Sequence, residues 1–186
     1  AGSVMFSKGT IGDILLSDVL TRWPLDLRLM DIEASHLEGI EQFTAAAASQ
    51  LGRQVTASAT TDLAAAVEGA DFVITAFEKD RYRHWAQDFH IPRKYGFAQI
   101  YGENGGPGGM FHALRNMGPL LEVAHTMERL CPAAWLINYS NPEAKLVQAI
   151  SALTPIHTAG MCHGVFMGRE QLSKLLELPQ EMIVTA

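Results

Sequence analysis

Short apolar runs that alternate with stretches of helical periodicity leave this chain few folds to choose from. Leu25–Asp31, entered from Pro24, reads as a strand, and Val55–Ala59 as a weaker one. Asp71–Phe77 is rich in β-branched and aromatic residues and reads as a buried strand; Ala133–Tyr139 and Ile156–Met161 are two more. Between them the period is helical. Lys8–Thr21 carries Ile11, Ile14, Leu15 and Val19 on one side, and Glu33–Leu51 is rich in alanine. Thr61–Glu68 is short, with Thr60 or Thr61 as its cap. Met110–Leu130 aligns Leu114, Met117, Leu121, Ala124 and Met127, and Pro142–Leu153 and Gln171–Leu176 follow. This alternation predicts an α/β fold: a Rossmann-like, doubly wound, mostly parallel sheet with helices on both faces. Such sheets bind ligands at the carboxyl ends of their strands. The informative residues are therefore those just after each strand.

Composition narrows the function. With 48% apolar and 18% charged residues, 186 residues suffice for one domain with a hydrophobic core. The net charge of -6 and the lack of a Lys/Arg cluster argue against a nucleic-acid partner. No apolar run approaches the roughly 20 residues of a membrane span, and no signal peptide is visible. Cys131 and Cys162 do not make a disulfide framework and fit a reducing cytoplasm. The chain opens on Ala1-Gly2-Ser3 without an initiating Met, and Met182–Ala186 reads as a strand just starting. The expectation is a piece of a longer protein, with the first strand of the sheet truncated.

Gly2 and Ser3, followed by a helix, read as the end of a Gly-x-Gly phosphate turn, or else as a frayed terminus. Asp31 ends a strand about 30 residues later, close to where an acid would hold the ribose hydroxyls of NAD and repel the 2′-phosphate of NADP. It also reads as the cap of the following helix. Glu68-Gly69-Ala70-Asp71 is an acidic turn into a buried strand and is scaffold on this reading.

Three further segments carry a family resemblance. Tyr101-Gly102-Glu103-Asn104-Gly105-Gly106-Pro107-Gly108-Gly109-Met110 leads into a long helix that carries Leu114-Arg115. Asn138-Tyr139-Ser140-Asn141-Pro142 ends one strand, and Gly160-Met161-Cys162-His163-Gly164-Val165 the next. Together with Ala1-Gly2-Ser3, Leu29–Ile32 and Ala70–Val73, their order and spacing resemble glycoside hydrolase family four, across essentially the whole chain. The resemblance implies the NAD-binding part, residues 1–186, of an NAD- and Mn²⁺-dependent glycosidase. It implies that NAD⁺ oxidises the sugar at C3, a base removes the C2 proton, the C1 leaving group is eliminated, water adds and the hydride returns. This route departs from two-carboxylate hydrolysis.

The same resemblance assigns roles. Cys162 becomes a metal ligand; read without it, a buried structural cysteine is the simpler account. Asn141 becomes a contact to a sugar hydroxyl, although Asn-Pro also makes a good helix cap. Glu103 becomes a polar group in the catalytic site, and Arg115 a substrate contact, with a surface loop acid and a surface ion pair as the alternatives. His163 resembles the residue of α-glycosidases acting on non-phosphorylated sugars, where it would donate a proton to the leaving oxygen and contact substrate; a structural histidine is the alternative. The implied substrate is a small carbohydrate, an α-glucoside, α-galactoside or uronide, and the implied assembly a homodimer or homotetramer. The family's second metal-ligating histidine and its base match nothing in this chain. Two other functions fit the nucleotide half alone: an NAD-dependent dehydrogenase of the lactate or malate type, and a non-catalytic nucleotide-binding regulator.

Overall fold

A computed structural model describes residues 4–184. Along them run α1 Val4–Leu16, β1 Leu25–Met30, α2 Glu38–Gln50, β2 Val55–Thr60, α3 Leu63–Val67 and β3 Phe72–Thr75. Then follow α4 Arg81–Lys94, α5 Gly106–Leu130, β4 Trp135–Asn138, α6 Glu143–Leu153, β5 His157–Gly160 and α7 Gly164–Leu176. Every strand pair among the described residues is parallel. β1 and β2 form one sheet, and β3, β4 and β5, in that order, form a second. In a doubly wound sheet a further strand stands between the positions of β1 and β3. Among the described residues no strand fills that position.

One face of the three-stranded sheet is closed. Leu120, Ala124 and Met127 of α5, Leu146 and Ile150 of α6 and Val67 of α3 pack with Leu136 of β4 into the main core. A smaller cluster joins Ile11 and Leu15 of α1 to Ile40 and Ala48 of α2, over Leu29 and Val55. Strand side chains alternate between faces, so the residues flanking Leu136 point the other way. There Phe72 is 62% exposed and Trp135 45%. Phe72, Trp135 and His157 are register neighbours across the three strands. The Trp135 and His157 rings stack with centroids 5.2 Å apart on this open face.

Several elements differ from the sequence expectation, each for a local reason. α1 stops at Leu16 and a 3-10 turn follows at Leu20–Arg22, where Ser17 Oγ accepts from the Leu20 N–H and Thr21 Oγ1 donates to the Ser17 carbonyl. The cap of α3 is Asp62, which accepts from the Ala64 and Ala65 N–H groups, while Thr60 supports Asp62 itself. α7 begins seven residues before the expected Gln171. Of the strand expected to start at Met182–Ala186, Met182 instead ends a 3-10 turn, Gln180–Met182, and Thr185 and Ala186 lie outside the described residues.

The larger corrections concern α4 and the glycine run. The sequence pattern does not predict α4, because that segment has no apolar stripe, and the residues it buries are Asp88 and Pro92. α5 starts at Gly106, inside the run expected to be a turn. Gly105 and Gly106 supply the turn, with φ of 73° and 59°. Gly108 and Gly109 are helical and serve as clearance. A β-carbon on Gly108 would stand 2.1 Å from the Asp88 carbonyl oxygen, and one on Gly109 2.9 Å from the Asn104 backbone. The two glycines thus let α5 lie directly against α4 and its preceding loop.

Candidate active site

The carboxyl ends of β3, β4 and β5 form one edge. Tyr139 N–H donates to the Thr75 carbonyl at 2.8 Å and Met161 N–H to the Asn138 carbonyl at 2.9 Å, so the three exits lie side by side. Asn141 and Cys162, predicted separately, therefore follow neighbouring strands at the same edge. The Phe6 ring of α1 meets Tyr139 edge-on at 4.8 Å, which brings the first turns of α1 to this edge too. Gly2 and Ser3, just before α1, lie outside the described residues.

Asp31 follows the end of β1 in the other sheet. Its Oδ1 accepts from the Glu33 N–H at 3.0 Å and lies 3.3 Å from His36 Nδ1. Burial opposes the charge of this carboxyl; the Glu33 N–H, the positive amino terminus and the His36 ring favour it, and together they hold the group below its ordinary value. Asp31 is therefore an anion throughout the physiological range, anchored to the chain that follows it as a helix-entry residue would be.

Cys162 is exposed, and its Sγ accepts from the Gly164 N–H at 3.3 Å. The buried-cysteine alternative describes Cys131 instead, whose thiol is pushed up by burial and so resists ionisation. His163 is exposed and begins α7 without a side-chain capping bond. Glu143, at the start of α6, places Oε1 1.4 Å from where a β-carbon on Gly160 would stand. Its carboxylate therefore sits at the exit of β5, which only a glycine there allows. Among the described residues no group of three His, Cys, Asp or Glu side chains is arranged to hold a metal ion. Cys162 offers one open, soft ligand, which fits a partial coordination sphere.

Glu103 and Arg115 are tied to α4 and its surroundings. Glu103 Oε2 accepts from Trp85 Nε1. Arg115 donates from Nη1 and Nη2 to the two carboxylate oxygens of Asp88, at 3.0 and 2.9 Å. These bonds hold its guanidinium above its ordinary value against the burial that opposes it. Asp88 Oδ2 also lies 3.2 Å from Nδ1 of the fully buried His112. On the other side of that ring, Nε2 is 3.6 Å from Glu78 Oε1; among the described residues neither atom has a hydrogen-bond partner, and both are shut off from solvent. Glu78, which also pairs with Arg81, lies just after β3, so the chain of charges runs from α4 to the edge.

Sequence reasoning did not single out Glu78, Asp88, His112, Asn116 or Glu143. One signal was available. His112 and Asn116 stand one helical turn apart, both buried, whereas Leu114, expected on the core face, is 59% exposed. A polar pair one turn apart inside an otherwise amphipathic helix marks a second, polar packing face.

The family model described as Family 4 glycosyl hydrolase matches residues 1–178. The chain is 38% identical over 178 residues to an alpha-glucosidase of Erwinia rhapontici, covering 95% of this chain and 39% of that protein. It is 33% identical over 184 residues to an alpha-galactosidase of Bacillus subtilis (strain 168), covering 98% and 42% respectively. The chain thus spans about two fifths of the length of these curated relatives. A crystal structure of a 6-phospho-alpha-glucosidase from gut microorganisms, in complex with NAD and Mn2+, superposes with a TM-score of 0.80 at 27% identity, over 97% of this chain and 41% of that one. A lactate dehydrogenase from Eimeria maxima reaches a TM-score of 0.64 at 15% identity, a likeness of fold alone.

Proposed function

The chain belongs to the family 4 glycosyl hydrolases, and from that premise we propose that it is the nucleotide-binding part of a glycosidase that requires NAD⁺ and a divalent cation such as Mn²⁺. The observation that carries this reading is the exposed Cys162-His163 pair at the exit of β5, beside Asn141 at the exit of β4. The substrate is a small, non-phosphorylated α-glycoside: a glucoside, galactoside or uronide. The alpha-glucosidase and alpha-galactosidase relatives support that class. The enzyme acts in the cytoplasm as a homodimer or homotetramer. Both cysteines are free, and among the described residues no helix is long and apolar enough to cross a membrane.

Bound together, NAD⁺ and the cation supply reversible oxidation at the sugar's C3 and polarisation of the neighbouring oxygens. The side chains of this chain bind and orient. Asp31, held ionised, accepts from the ribose hydroxyls. Gly2 and Ser3 take the pyrophosphate, as the sequence resemblance implies. Cys162 contributes a thiolate ligand, and its contact with the Gly164 N–H fixes the sulfur at the strand exit. Asn141 contacts a sugar hydroxyl, and His163, exposed next to the ligand, donates the proton to the leaving oxygen. Glu103 is a polar wall of the catalytic site whose orientation is set by Trp85. Arg115 contacts substrate only through donors that Asp88 does not occupy.

Two measurements check this reading. Replacing Asp31 by alanine is expected to weaken NAD⁺ binding about tenfold in calorimetry, in line with the loss of charge-assisted hydrogen bonds. An unchanged affinity removes Asp31 from the nucleotide site. For the reaction as a whole, complete enzyme stripped of NAD⁺ is expected to lose hydrolysis of nitrophenyl α-glycosides and to regain it with NAD⁺ and Mn²⁺. Product formed in D₂O should carry deuterium at C2, without accumulation of NADH. Hydrolysis that survives stripping, with no deuterium at C2, refutes the proposal, and NADH released in proportion to product would point to a dehydrogenase.

A further inference from the structure

The backbone ladder between β3 and β4 ends at the bond from Tyr139 N–H to the Thr75 carbonyl. Beyond it the two chains diverge, and two buried side chains continue the pairing. Ser140 Oγ, 3% exposed, accepts from the Phe77 N–H at 3.0 Å. Asn116 of α5, with no exposure at all, accepts on Oδ1 from the Lys79 N–H at 2.9 Å and donates from Nδ2 to the Asn141 carbonyl at 3.3 Å. Both partners of Asn116 are backbone groups, one able only to donate and the other only to accept. The orientation of its amide is therefore fixed by chemistry. Asn138, also fully buried, shapes the turn between the rungs: it accepts from Thr75 Oγ1 and the Ser140 N–H and donates to the Ser140 carbonyl.

Four buried polar side chains are a large commitment for one loop pair, since each left unsatisfied would cost stability. Asn116 and Asn138 bond the backbone at Asn141 and Ser140 directly, Ser140 ties that segment to Phe77, and Thr75 reaches it through the side chain of Asn138. We propose that Asn116 and Ser140 are positioning residues: they extend the β3–β4 pairing past its last backbone bond and so set Asn141 against the segment Phe77–Lys79. Neither touches substrate; each acts through Asn141. The proposal rests on the reading of Asn141 as a sugar contact, and it places the determinant of that contact on two buried side chains that do not themselves reach the substrate.

The test is a double-mutant cycle in the complete enzyme. Asn116→Asp keeps the acceptor for Lys79 but sets a carboxylate oxygen against the Asn141 carbonyl. It is expected to lower kcat/KM for a nitrophenyl α-glycoside by about tenfold, with NAD⁺ affinity changed less than about twofold. In an Asn141→Ala background the same substitution is expected to cost less than about twofold, because residues acting as a unit are not additive. An equal loss in both backgrounds, or no loss in either, overturns the proposal. Ser140→Ala removes the other rung without adding charge and gives the same comparison if the Asn116→Asp protein does not fold. Amide hydrogen exchange reads the rungs without substrate. Ser140→Ala should speed exchange at Phe77 by about tenfold or more, and an unchanged rate overturns the proposal. An unsubstituted enzyme that needs no NAD⁺ would instead refute the glycosidase reading, leaving the exchange result to decide this one.

Discussion

Replacing Cys162 by serine in the complete enzyme is expected to lower glycoside hydrolysis about a hundredfold or more, the scale on which metal sites respond to the loss of a ligand or its support. The structure makes this substitution discriminating. The hydrogen bond from the Gly164 N–H to Sγ of Cys162 is one a serine hydroxyl accepts at least as well. The exposed position at the exit of β5 also leaves little packing to lose. The fold and the start of α7 should therefore survive, and NAD⁺ affinity should change less than about twofold. What serine cannot supply is a thiolate, because its hydroxyl stays neutral and is a weaker ligand. Part of the activity should return as Mn²⁺ is raised. Steady-state kinetics across a Mn²⁺ series measures both effects, and an active Cys162→Ser enzyme would leave the sulfur with its capping contact alone.

The largest loss of stability is expected at Asp88. Its carboxylate, 4% exposed, holds both terminal nitrogens of Arg115 and faces the imidazole of His112. Asp88→Ala strands a guanidinium that is 19% exposed and a ring that is 1% exposed. Breaking a buried ion pair from one side typically costs about 3–5 kcal/mol, because the remaining charge keeps its desolvation penalty without its partner. A urea titration should show the midpoint of this domain's transition fall accordingly. Asp88→Asn, which keeps the shape and one acceptor, should lose roughly half as much. A midpoint unchanged in Asp88→Ala would mean that Arg115 and His112 find water or another acid at once. The carbonyl of Asp88 also lies close against Gly108, so the side chain of Asp88 bonds α5 at the point where the backbones of α4 and α5 approach.

Much of the strand pattern was legible because burial against one helical layer leaves a strong apolar signature, as in Ala133–Tyr139. Asn141 and Cys162 could be placed because residues just past parallel strands must share an edge, whatever the details of the loops. α4 was not legible: Arg81–Lys94 is held through Asp88 and Pro92, and polar burial produces no apolar period. The glycine run misled for a related reason. Gly105 and Gly106 do turn the chain, but Gly108 and Gly109 are spaced for close contact with another element, and a single sequence does not show the element they face. The roles of Asn116 and Ser140 depend on three segments meeting, a non-local fact that no window of sequence contains.

The open face of the three-stranded sheet gives the protein an optical consequence. Trp135, stacked on His157 and nearly half exposed, has its indole in contact with water. Anything that settles on this face would dry that indole and shift its fluorescence toward shorter wavelength. The chain has three tryptophans, and the other two stand elsewhere: Trp23 is 62% exposed, and Trp85 is bound to Glu103. With those two replaced by phenylalanine, the colour of the remaining emission becomes a native gauge of whether the sheet is covered. With Trp85 kept in place of Trp135, the same spectrum reports instead on the side chain that Glu103 holds.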